Sequence, residues 1–143
     1  AALFHDSGFL NKYQNNEAEG ANLAKRELPR YGFTDSQVEI VEGMILATKI
    51  PQDPKNRLEE VLCDADLDYL GRSKEEFDII SDSLAQELVD MKLLKNLNQW
   101  DPIQIKFLEA HKYFTKTCVK TRRAGKIERL REIKARLIGP NVE

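Results

Sequence analysis

The opening stretch "AALFHDSGFLNKY" sets a histidine and an aspartate, His5 and Asp6, directly behind an apolar run and just ahead of Gly8. A polar pair in an apolar neighbourhood needs a partner, and a long imidazole beside a short carboxylate can converge on one shared ion. Sixty residues after Asp6, "LCDADLDYLG" crowds Asp64, Asp66 and Asp68 into five positions. Carboxylates this close repel one another unless a cation or solvent relieves them. Two readings follow: a metal-ligating helix, or an acidic face with Asp64 and Asp68 paired to nearby lysine or arginine. Imidazole and carboxylate together make a donor set of borderline softness, suited to one divalent transition metal ion, whether Mn, Fe, Co, Ni or Zn.

Other chemistry is scarce. The second of the two histidines, His111, stands in "EAHKYFTKT" beside Tyr113 and Phe114, where helical spacing favours packing over ligation. Cys63 and Cys118 are far apart and lack CxxC spacing, so neither a zinc finger nor a disulfide framework is indicated. The chain has no glycine-rich phosphate loop, no GxSxG and no HExxH.

Positioning these groups falls to helices, since 3.6-residue periodicity recurs and strand alternation is rare. The 143 residues suffice for a core without covalent props, and the reading is an all-α bundle of six to seven helices in a single domain. "EAEGANLAKRELPRYG" carries Ala18, Ala21, Leu23, Ala24 and Leu28 and closes at Pro29 and Gly32. Thr34 and Gln37 form a capping box ahead of Val38, Ile40, Val41, Ile45 and Leu46, with Pro51 as the stop. "RLEEVLCDADLDYLG" reads as one helix with Leu58, Val61, Leu62 and Leu70 inward and Gly71 as C-cap. A second capping box, Ser73 with Glu76, opens a helix to about Leu94 through Phe77, Ile80, Leu84 and Leu88. After a turn at "NLNQWDP", Asp101 and Pro102 read as N-cap and first helical residue, with Ile105, Leu108, Tyr113 and Val119 following. A last amphipathic helix covers 126–138, and Gly125 and the pair Gly139 and Pro140 read as breaks.

Charge is balanced overall and uneven in place. Residues 1–105 hold 11 basic against 20 acidic side chains, and residues 106–136 hold 11 against 3. The basic helices at 106–138 read as packed on the domain with a solvated face; a nucleic-acid-associated role through residues 106–136 is the third reading, though no interleaved aromatics supply it with a platform. With no membrane-length apolar stretch and no signal peptide, the expected setting is the cytoplasm, with no membrane partner and room for a homodimer.

Taken together, the His-Asp doublet after an apolar turn, the glycine two residues on, and the Ala65-Asp66 pair in an apolar-acidic helix resemble the HD superfamily of metal-dependent phosphohydrolases. "NNEAEGANLAK" is similar to the helix that follows the doublet in bacterial members, and the likeness covers roughly residues 1–72. The resemblance implies a metal held by His5, Asp6 and Asp66, with Asp64 the competitor of Asp66. The family's first histidine would lie upstream of Ala1, so the chain is expected to begin inside the site-forming domain. No histidine lies between His5 and His111, and Asn16 and Thr48 fall where second-metal ligands would be, so one ion at most is expected. Phe9 stands where many members have a lysine.

The implied activity is hydrolysis of a small phosphorylated substrate, a nucleotide or related phosphoester, by a metal-activated water. Asp64, with Glu17 in reserve, is the candidate general base. Lys49 and Arg72 are candidates to hold the substrate phosphate. The competing reading is a non-catalytic HD-fold module with a binding or regulatory role.

Overall fold

The computed structural model describes residues 1–138. Among them are seven α-helices, four short 3-10 turns and no strand, which establishes the all-α class. Gly139 and Pro140 lie outside the described residues. The chain divides into two compact units, Ala1–Asp66 and Leu67 onward.

In the first unit a turn over residues 2–6 leads into a 3-10 turn, Ser7–Leu10, and then into α1 (Asn16–Glu27), α2 (Asp35–Ala47) and α3 (Arg57–Asp66). Small residues at one-turn spacing let α1 lie close to α2. Ala21, Ala24 and Leu28 meet Val38, Val41 and Ile45 in a core against which Ala1 and Phe4 also pack. Glycine at 32, with φ of 82°, turns the chain between the two helices. The Thr34–Gln37 capping box is present on both sides. Asn56 caps α3, its Oδ1 accepting from the amides of Leu58 and Glu59 at 3.0 and 3.2 Å, while Glu59 accepts in return from Asn56 Nδ2 at 2.7 Å.

The inner faces correct the expected ones. The buried line of α2 is Val38, Val41, Ile45 and Ala47, and Ile40 and Leu46, off that line, are about half exposed. On α3 the buried side is Glu59, Leu62, Cys63 and Asp64, so Leu58 and Val61 face outward. The helix also ends at Asp66 rather than running to Gly71, and the residues after it form a separate 3-10 turn, Asp68–Gly71.

The second unit holds α4 (Lys74–Asp90), α5 (Trp100–Ala110), α6 (Lys116–Thr121) and α7 (Arg123–Ile138) around Leu67, Leu70, Phe77, Leu108, Tyr113 and Ile133. The Ser73–Glu76 capping box opens α4 as expected. The helix stops at Asp90, short of Leu94, because Lys92 takes a left-handed φ of 60° and the amides of Leu93 and Leu94 turn back to the Leu88 carbonyl. Its buried stripe is Phe77, Ser81 and Ala85, with Ile80 exposed, since Ser81 Oγ receives the Trp100 indole N–H at 3.0 Å and the Gln104 amide.

α5 begins at Trp100, so Asp101 and Pro102 lie inside its first turn rather than at its cap. The pattern through Val119 is broken at His111, whose backbone is extended, and Thr115 caps α6 by accepting from the Cys118 amide. Buried Lys126 takes the place of the missing helical donors, bonding the carbonyls of Leu108 and His111 at the end of α5. Burial, then neighbouring Arg123, pushes its ammonium pKa down. Gly125 falls within α7, where a Cβ would stand 2.3 Å from the Gly71 carbonyl oxygen; it serves close packing rather than a break. No helix among the described residues is long and apolar enough to cross a membrane.

Candidate metal centre

The doublet sits on the turn that enters the first 3-10 helix, with Asp6 as its N-cap. This segment can lie against α1 because residue 8 is glycine: a Cβ there would come within 1.8 Å of the Asn16 carbonyl oxygen. Phe4 anchors one side of the turn in the core, and Ser7 Oγ donates to the Phe4 carbonyl at 2.7 Å. Asp66 arrives from the last position of α3.

The imidazole joins the two carboxylates. His5 Nε2 lies 3.1 Å from Asp6 Oδ2 and 3.3 Å from Asp66 Oδ1. Its other nitrogen, Nδ1, is 2.8 Å from the Ala2 carbonyl oxygen. A carbonyl only accepts, so Nδ1 carries a proton, and in the neutral ring the lone pair is on Nε2, facing both carboxylates. Hydrogen bonds to Asp6 and then Asp66 raise the His5 pKa to about 10, against the opposing effect of partial burial. The shared proton on Nε2 thus neutralises part of the negative charge around it.

Ligand atoms of His5, Asp6 and Asp66 all lie within 4.8 Å of one another, and no other trio of histidine, cysteine and acidic residues does so among the described residues. Nitrogen and oxygen ligands stand about 2.1 Å from a first-row divalent ion, which places neighbouring donors about 3.0 Å apart in an octahedron and about 3.4 Å apart in a tetrahedron. The two spacings from Nε2 fall between these values. An imidazole oriented by a backbone carbonyl, facing two carboxylates, fits a divalent transition ion in donor type and spacing.

The remaining expected residues are distributed around this centre and away from it. Asp64, on the same helix, is 2% exposed and does not join the trio, so it is withdrawn from solvent where a general base would need to meet water. Glu17 is half-buried on the first turn of α1 next to buried Asn16. Lys49 follows α2 and donates to Asn15 Oδ1 at 3.2 Å, with no carboxylate partner among the described residues. Thr48 is buried and bonds the Ile45 carbonyl.

Arg72 belongs to the second unit. There it joins Asp68 and Glu76, and Asp68 is also held by Arg122 at 2.6 Å. Burial pushes the Asp68 carboxyl up, but the two guanidinium groups outweigh it and hold the pKa below the ordinary range. The acidic-face reading therefore describes Asp68, while Asp66 turns to His5.

His111 packs between aromatic rings, stacked on Phe107 at 6.2 Å and edge-on to Tyr113 at 4.7 Å. The Cys63 thiol is buried and donates to the Ala47 carbonyl, and burial followed by the charges of Asp66, Asp64 and Glu59 raises its pKa to about 12. A thiol so protonated is a poor nucleophile.

One neighbour of the centre escaped the sequence reading. Gln52 donates through Nε2 to Asp66 Oδ2 at 3.2 Å and to the Cys63 carbonyl at 3.2 Å. The signal available for it was its place between Pro51 and Pro54, which stiffen the loop that carries it.

Neither a family model, nor a curated protein, nor a solved structure matches the chain.

Proposed function

We propose that the first unit is an HD-type metal centre and that the protein is a metal-dependent phosphohydrolase or phosphodiesterase acting on a nucleotide or related phosphoester. The observation that carries this reading is the convergence of His5, Asp6 and Asp66, from opposite ends of the unit, at spacings suited to one divalent ion. A bound ion of this kind would polarise a phosphoryl oxygen and lower the pKa of water to about 7. His5 would offer Nε2, with its tautomer set by the Ala2 carbonyl, and Asp6 and Asp66 one oxygen each. Lys49, whose ammonium meets only a neutral amide oxygen among the described residues, has charge to offer a phosphate. Glu17, which keeps partial solvent access, is the carboxylate that would take the proton from water in preference to buried Asp64.

The test uses the full chain. Hydrolysis of a panel of nucleoside mono-, di- and triphosphates, cyclic nucleotides and dinucleotides is followed with Mn2+, Co2+, Ni2+, Zn2+ or Fe2+ added in turn. Activity on at least one member should depend on the added ion and fall at least 100-fold in Asp6→Ala and in Asp66→Ala. Turnover that survives both substitutions, or that chelation leaves intact, refutes the proposal. Ion binding without turnover on any member would favour the non-catalytic module.

A further inference from the structure

The two oxygens of Asp66 are divided between two tasks. Oδ1 faces His5 Nε2, and Oδ2 receives the amide nitrogen of Gln52. That amide also donates to the carbonyl of Cys63, three residues earlier on α3. Gln52 therefore spans the helix end and the carboxylate at once, fixing the rotation of the Asp66 side chain relative to the helix that bears it. A carboxylate left unsplinted at a helix terminus samples several rotamers, and only some of them present an oxygen toward His5.

The other end of the same amide is bare, as is the amide oxygen of Gln104 in the second unit. Gln52 Oε1 is shut off from solvent and has no hydrogen-bond partner among the described residues. A buried acceptor left bare is costly, and a residue serving only to tie a loop to a helix gains nothing from it. Because both amide heteroatoms sit on one carbon, this oxygen lies beside the group that holds Asp66.

From this arrangement we infer that Gln52 is a positioning residue of the metal centre, orienting Asp66 through Nε2 and offering Oε1 as acceptor to a donor that enters with the ion. The inference rests on the metal-centre reading above and adds to it a neutral residue outside the ligand trio. Residues that orient a metal ligand characteristically change affinity about 10- to 100-fold when removed, and that range is expected here.

The experiment is a titration of the full chain with Mn2+ alone, read by electron paramagnetic resonance of the free ion, for wild type, Gln52→Leu, Gln52→Met and His5→Ala. Both Gln52 variants should bind Mn2+ 10- to 100-fold more weakly than wild type, and His5→Ala more weakly still. Gln52 variants that match wild type within twofold overturn the inference and leave the metal centre standing. A wild type that binds no better than His5→Ala removes the centre and the inference with it. Should both Gln52 variants fail to fold, wild type suffices: on addition of Zn2+ alone, the side-chain amide resonances of Gln52 should shift and their hydrogen exchange should slow. Gln52 signals that do not move while those of His5 do overturn the inference.

Discussion

Proton and metal compete for one lone pair at His5, and the strength of that competition follows from the structure. Between Asp6 and Asp66 the imidazolium has a pKa of about 10, and an ion that uses Nε2 must first displace that proton. At pH 7 only about one imidazole in a thousand is neutral, a cost of about 4 kcal/mol at 1.36 kcal/mol per pH unit. Mn2+ affinity should therefore rise about tenfold for each unit of pH, or about 100-fold between pH 6 and pH 8. Binding at pH 7 should release close to one proton per ion. Isothermal titration calorimetry in pairs of buffers with different ionisation enthalpies counts those protons and yields both affinities. Mn2+ that binds with the same affinity at pH 6 and pH 8, releasing no proton, refutes the assignment of His5 as a ligand.

The same pKa has the opposite consequence for the metal-free protein. A histidine with its folded-state pKa raised from 6.5 to about 10 stabilises the fold fully below pH 6.5, and that stability is lost as pH rises through 10. Because Asp6 is 63% exposed, solvent screening reduces the effect to about 1–2 kcal/mol. In chelator, wild type should lose that much stability relative to His5→Gln between pH 6.5 and pH 10, measured by urea unfolding; parallel profiles for the two proteins would refute the ion pairs. Gly8→Ala brings a methyl group against the Asn16 carbonyl and should cost about 2 kcal/mol while weakening Mn2+ binding, because the turn carrying His5 must move off α1. Unchanged urea midpoint and affinity would show that the turn does not depend on this close approach.

What the sequence disclosed depended on the kind of signal each residue emits. Thr34–Gln37 and Ser73–Glu76 declare their helix starts through local chemistry, and both capping boxes formed. Asp66 was separable from Asp64 and Asp68 only through its place after Ala65 and the resemblance that place carried; periodicity alone leaves three equivalent carboxylates. Inner faces were harder to read. Ile40, Leu46, Leu58 and Ile80 have the right hydropathy yet point outward, because small and polar residues such as Ala47, Glu59 and Ser81 occupy the buried lines instead. Glu59, Ser81 and Lys126 are buried polar groups held by partners distant enough, or sufficiently dependent on loop geometry, to leave no periodic trace. Gln52, neutral and in a loop, likewise leaves no periodic trace, and only what its amide touches sets it beside Asp66.

Residues 5 and 66 bracket nearly the whole of the first unit, and the groups between them include every buried residue of its apolar core. An ion gripped by both would act as a reversible cross-link closing a loop of that length, in the manner of a clasp. Tying such distant points together restricts the unfolded chain most severely, so loading the ion would stiffen α1, α2 and α3 as one body. Cofactor supply and the lifetime of the folded unit would then be governed by the same equilibrium.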